Sequence, residues 1–373
     1  MRRFLRPALL LLTLAASAGA AEPIKIGEYG AFSGKEAAFG TSARKGVILA
    51  FEEANAAGGV LGRPVELIAE DNQSKHGESA TIAKKFVSRD KVVAVLGGNP
   101  STNSLEAAPI LQNARIPMIA ISSTNPKVTE MGNYIFRVCF IDPFQGAVLA
   151  KFARETLKAQ RAAILTSVNN PYSVGISKVF REKFTAAGGV IAIEQKHSEG
   201  DKDFRAQLTA IKNADVDVIF HSGNYTEGAL VCIQARQLGF TGPLFGGDAW
   251  EAPQLIEIGG KAVEGTYYST HASPESTAPE MVNFIAKFRA RWDGEIPDSI
   301  AALGYDAAAM LFDALKRAGT TDSARLRDAI ATTRDFSGVT GRITIDQDRN
   351  ATKSAVILTV KDGKFAYVET VNP

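Results

Sequence analysis

The chain of 373 residues is short of the side chains that most often carry chemistry, with two cysteines and four histidines. His76, His197, His221 and His271 are scattered, and with Cys139 and Cys232 they make no zinc-type spacing, so no metal site is expected. No G-x-G-x-x-G or G-x-x-x-x-G-K-[ST] run lies between a strand and a helix, which excludes the usual dinucleotide and phosphate loops. A G-x-S-x-G elbow and an H-E-x-x-H pair are also missing. Neither an enzyme nor a bound cofactor is therefore expected. Charge of one sign is lacking too: 42 basic residues stand against 40 acidic ones, and this balance gives no reason to invoke nucleic acid or a membrane surface. Beyond the N-terminus no apolar run is long enough to span a bilayer. Both cysteines have apolar neighbours, in YIFRVCF and EGALVCIQARQLG, and read as buried free thiols.

What is present begins with an export signal. Arg2, Arg3 and Arg6 form a basic start, Ala8 to Ala16 an apolar run, and Ala18-Gly19-Ala20 a small-residue cleavage site. Residues 1–20 are read as a signal peptide cut near Ala20. Its removal takes the net charge from +2 to −1. With no cysteine at the cut there is no acceptor for a lipid, so a free periplasmic product is expected.

The mature chain opens strand, loop, helix, turn, strand. Ile24 to Glu28 alternates apolar and polar residues, and Val47, Ala50, Phe51 and Ala54 recur at helical spacing. Gly58-Gly59 stops that helix, and Pro64 to Glu70 is a second strand. This order implies a parallel sheet with right-handed crossovers. The alternation continues through strands at 92–96, 117–121 and 135–140, and a second series follows with strands at 162–166, 190–194 and 216–221. Asp362-Gly363 turns a C-terminal hairpin. The expected fold class is α/β, two doubly wound units in series, since one core does not grow to this length.

Four segments carry a family resemblance: IGEYGAFSG (26–34), AFEEANAAGGVLGRPVELIAEDNQ (50–73), IPMIAISSTNP (116–126) and ALGYDAA (302–308). In this order and at these separations the chain resembles the periplasmic branched-chain amino-acid (Leu/Ile/Val) binding proteins of ABC transporters, over nearly its whole mature length. The resemblance implies two Rossmann-like lobes joined by three crossings, near 139–143, 269–273 and 344–353. Residues 21–141 with 271–345 would form lobe 1, and 142–270 with 346–373 lobe 2. It also implies a monomer that closes over a small neutral amino acid and delivers it to permease subunits. A sensor of the same fold, or a receptor for another carboxylate, stays open.

Open α/β sheets bind ligands beyond the C-terminal ends of their strands. Three lobe 1 loops there are rich in small residues and hydroxyls: Ala31–Gly40, Asn99–Thr102 and Ser122-Ser123-Thr124-Asn125-Pro126. Ser101 opens a helix, where free N–H groups and the positive dipole end attract a carboxylate; the other reading is a helix cap. By the resemblance, Ser101 seats the ligand carboxylate, Thr124 meets carboxylate and ammonium, and the Ser122 carbonyl accepts from the ammonium. Ser123 belongs to the same hydroxyl cluster. Asp248 in LFGGDAW stands at the position that answers the ammonium, where the family commonly has Glu. Tyr172 is implied as the cover of the ligand side chain. Phe39 stands where the Leu/Ile/Val receptor has tyrosine, and Asn224, with Tyr225 beside it, falls on another aromatic position. The pocket's choice of side chain therefore stays open. The family receptor's disulfide falls on Gln73 and Pro100, so it is absent here.

Overall fold

The computed structural model describes residues 21–372. The expected signal peptide lies outside the described residues. The first lobe alternates β1 (Ile24–Gly30), α1 (Ala37–Ala56), β2 (Val65–Asp71), α2 (Glu78–Lys85), β3 (Ala94–Gly97), α3 (Ser101–Asn113), β4 (Met118–Ala120), α4 (Lys127–Glu130) and β5 (Ile135–Arg137). The second runs through α5 (Asp142–Lys151), β6 (Arg161–Ser167), α6 (Pro171–Ala186), β7 (Val190–His197), α7 (Arg205–Asn213), β8 (Val218–His221), α8 (Tyr225–Gln237), β9 (Leu244–Gly246), α9 (Pro253–Gly259) and β10 (Tyr267–Thr270). The chain then adds α10 (Pro279–Arg291), α11 (Ser299–Ala318), α12 (Ser323–Ala331), β11 (Phe336–Gly338), β12 (Gly341–Ile345) and β13 (Ala351–Thr352). It ends in the hairpin of β14 (Ala355–Lys361) and β15 (Lys364–Val371).

The five-stranded sheet has the order β2-β1-β3-β4-β5, with every pair parallel. The larger sheet repeats that order as β7-β6-β8-β9-β10 and adds β14 and β15 antiparallel at one edge. Each sheet thus has a switch point, beside β1 in one lobe and β6 in the other, where the direction of winding reverses and a crevice opens. The strands are buried and apolar, as a sheet covered by helices on both faces demands. No helix of the described residues is long and apolar enough to cross a membrane.

The chain passes between the lobes three times: after β5, after β10 and ahead of β14. The β12–β13 hairpin folds back onto the first lobe, because Arg137 N donates to Arg349 O (3.3 Å) and Thr129 Oγ1 to Asn350 Oδ1 (2.9 Å). Residues 346–352 therefore pack with the first lobe, and the last passage is at 353–354. Helix α11 is seated against α1 by backbone contact. A Cβ on Gly46 would collide with the Ala301 carbonyl, and one on Gly304 with that of Ala43. This close approach brings the start of α11 to the mouth of the crevice. Cys139 and Cys232 are buried free thiols.

Candidate functional site

A small cavity lies where the two sets of strand ends face each other, lined by Phe39, Pro100, Ser101, Ser122, Thr124, Tyr172, Asn224, Asp248, Ala249 and Ile300. Seven of the nine residues expected from the sequence are thus brought together. Ser123 and Tyr225 are not among the lining residues. The Ser123 hydroxyl points into the protein, donating to Gly98 O (2.5 Å) and bonding Ser104 Oγ (2.8 Å). Tyr225 stands behind Phe39, edge-on at 5.1 Å, and donates its hydroxyl to Lys35 O (2.7 Å).

In the first lobe the backbone does the placing. Ser101 is the first residue of α3, and the preceding Pro100 offers no side-chain cap; Asn103 N donates to Pro100 O (3.1 Å), and the N–H groups of Ser101 and Thr102 are left for an anion. Ser101 Oγ accepts from Asn125 N (3.3 Å) and keeps its hydrogen to donate. Asn99 Oδ1 accepts from Ser122 N (3.3 Å), tying the first hydroxyl loop to the second. Arg137, wholly buried on β5, pins that second loop from behind. Its guanidinium donates to the carbonyls of Ser123 and Asn125 and to Thr129 Oγ1.

In the second lobe side chains do the placing. Asp248 begins a single tight turn after β9. Its Oδ1 accepts from Gln145 Nε2 (2.8 Å) and its Oδ2 meets His271 Nε2 (3.1 Å). Burial pushes the His271 pKa down, against the pull of the Asp248 carboxylate. The ring is therefore neutral near pH 7, with its one hydrogen on Nε2, and it stacks on Phe140 at 3.9 Å. A second acid, Asp142, opens α5 with both oxygens buried and unpartnered. Burial raises its pKa to about 8, so at neutral pH it is held as the uncharged acid. The Tyr172 pKa is driven far up by burial and then by the Asp248 and Asp142 carboxylates, which keeps the phenol neutral. Its hydroxyl lies where a Cβ on Gly247 would sit, so glycine is required there.

Asn224 lies ahead of α8, 7% exposed. Its Nδ2 donates to Glu199 Oε1 (3.0 Å), and Glu199 Oε2 pairs with Lys35 Nζ (3.3 Å) across the crevice. With Tyr225 on Lys35 O, and Asn125 Nδ2 on Pro171 O (2.9 Å), the lobes touch on both sides of the cavity.

Sequence reasoning did not reach Pro100, Ala249 and Ile300 in the lining, or Gln145 and His271 behind Asp248. Ile300 comes from α11, far along the chain from the other lining residues, and had no local signal. Gln145 and His271 lie 103 and 23 residues from Asp248. Among the described residues no group of three or more His, Cys, Asp or Glu could hold a metal ion.

Two lobes of equal winding, closed on a small cavity between their strand ends, define a bilobed solute-binding protein. The profile of the periplasmic binding protein family matches residues 23–364, and the chain belongs to that family. It is 29% identical to Leu/Ile/Val-binding protein homolog 2 of Brucella abortus (strain 2308) over 93% of each chain. Among solved structures, the leucine binding protein LivK of Thermotoga maritima MSB8 superposes with a TM-score of 0.90 at 41% identity, covering 94% of this chain and 99% of that one. The branched-chain amino acid transporter substrate binding protein LivJ of Streptococcus pneumoniae, in complex with isoleucine, gives 0.89 at 34% identity, over 94% and 100%. The chain is thus a substrate-binding protein of an ABC transporter, and the family and fold are not those of an enzyme.

Proposed function

We propose that the cavity takes the zwitterion of a small neutral α-amino acid. The observation that carries this reading is the pairing of opposites across the crevice. A hydroxyl seat at the α3 N-terminus faces a carboxylate on the other lobe. Ser101 and the first-turn N–H groups suit the ligand carboxylate. Asp248, with Thr124 and the Ser122 carbonyl, suits the ammonium. Phe39, Tyr172 and Ile300 offer apolar surface to the side chain. The names of the relatives, which bind leucine, isoleucine and valine, put the branched-chain amino acids first in the set to test.

Closure follows from where the contacts lie. Neither lobe alone satisfies both ends of a zwitterion, so ligand favours the state in which the lobes meet. The lobes are those set out from the sequence, except that residues 346–352 go with the first, and they hinge at the three passages. The closed monomer would be what permease subunits recognise in the periplasm, after removal of residues 1–20. A thermal-shift screen of the common amino acids tests the reading, because a ligand bound only by the folded state raises its melting point. Raised melting with an amino acid, and none with its des-amino analogue, supports it. Equal response to both would remove the ammonium from the account.

A further inference from the structure

The end of the cavity at Asn224 presents a hydrogen-bond acceptor that nothing in the protein uses. Which end of this amide faces inward is decided by chemistry. Glu199 is ion-paired with Lys35 through Oε2, so its Oε1 is an acceptor and only the Asn224 NH₂ group can meet it at 3.0 Å. That commits one of the two Asn224 N–H groups to the protein and fixes which end of the amide is the nitrogen. The remaining atom, Oδ1, is buried without a partner, on a residue that is 7% exposed and lines the cavity. A buried acceptor left unpaired is costly, and a donor brought by the ligand removes that cost. The surroundings agree in sign. Glu199 stands behind Asn224, and the Glu36 carboxyl feels both Glu199 and Glu227. Lys35, paired with Glu199, is the cation set among these three acids. Such a field favours the positive end of an O–H or N–H dipole and opposes an acidic side chain.

We infer that the side chain of the bound amino acid carries a hydrogen-bond donor that pairs with Asn224 Oδ1, so that a polar neutral amino acid is preferred over its aliphatic isostere. The inference rests on the zwitterion reading above and refines it. The apolar wall of Phe39 and Ile300 accommodates the carbon skeleton, and the acceptor at the far end selects among skeletons of one shape. A site built to meet a donor discriminates strongly against an analogue that lacks it, because the protein group is then left bare.

Isosteric pairs test this on the intact protein: threonine against valine, and asparagine against leucine, by calorimetry. In at least one pair the polar member should bind wild-type protein about ten- to a hundredfold more tightly. Asn224→Leu should reverse that order. Aspartate and glutamate should bind neither protein. If valine and leucine bind wild type as tightly as their polar partners, the inference is overturned, whatever the variant does. The same holds if the preference survives Asn224→Leu, since Oδ1 then takes water or lies off the ligand. The two readings fail separately. Aliphatic ligands whose binding still depends on Asp248 would sink the donor alone, whereas no binding by any of the four would sink the zwitterion with it.

Discussion

In the first lobe the cavity is lined by hydroxyls that the backbone places; in the second, by a carboxylate and an amide that other side chains place. Ser101 and Thr124 sit within a few residues of strand ends, and the loops that carry them are tied to each other and to Arg137. Asp248 depends on Gln145 and His271, and Asn224 on Glu199, which itself depends on Lys35 of the opposite lobe. The first half is thus complete within its own lobe. In the second, the chain of contacts from Asn224 through Glu199 ends on Lys35 of the other lobe. This division suits a receptor that holds one end of its ligand while open and recruits charge and shape on closing.

The largest effect that would test this contrast is on Asp248. Asp248→Ala should weaken amino-acid binding by about 2–5 kcal/mol, since a buried ammonium loses its charged partner. Calorimetry against a des-amino analogue, which should lose little more in the variant, checks the assignment. Unchanged affinity would leave the second lobe with no role in ligand charge.

Next comes the pH dependence of stability at the contact between lobes. Burial, and after it the nearby Glu199 carboxylate, raise the Glu36 pKa from 4.5 to about 7. Between those values the folded protein keeps a proton that the unfolded chain has released, so stability falls as pH rises through the window. The loss is on the order of 3 kcal/mol, and it is complete only once the pH has passed well above about 7. Glu36→Gln should remove it: the melting temperature of the variant should gain on wild type from pH 4.5 to 7. Parallel melting curves would show that Glu36 titrates alike in both states.

Ser101→Ala and Thr124→Ala should each cost about 1–3 kcal/mol of binding, through lost hydrogen bonds to a charged group. Both should leave the melting point of the free protein within a few degrees, because both residues line the cavity rather than the core. A large fall in melting point with normal binding would make Ser101 a cap and not a seat. The smallest expected effect belongs to Lys35, whose side chain is 46% exposed. Lys35→Ala removes one half-exposed ion pair across the crevice and should weaken binding by about 0.2–1 kcal/mol, more at low salt than at high. A loss comparable to that of Asp248→Ala would show that closure, and not contact with the ligand, dominates affinity.

The hydroxyl half of the site was legible because its signals are local. A strand followed by a Ser- or Thr-bearing loop and a helix start places each group at a sheet edge with no help from distant residues. Ser123 shows the limit of that reading, since adjacent hydroxyls in SST alternate in direction and only tertiary packing tells which faces inward. Tyr225 shows another: as the residue after Asn224 it opens α8 on the far side of Phe39. Asn224 lines the cavity, but the use of its two amide ends depends on Glu199 and Lys35, which no spacing connects.

Sequence alone determined the winding of both lobes, because apolar period, glycine stops and strand-helix order act over short stretches of chain. It also determined the polarity of the first-lobe seat, since a helix N-terminus with a hydroxyl is a local object. Tertiary structure decided what those patterns meet. It buried His271 as a neutral donor to Asp248 and held Asp142 uncharged beside it. It brought Ile300 in on α11 through the glycine contact with α1, and it left one Asn224 oxygen buried without a partner. Those outcomes rest on burial and on contacts between residues far apart in the chain, which a linear sequence does not record.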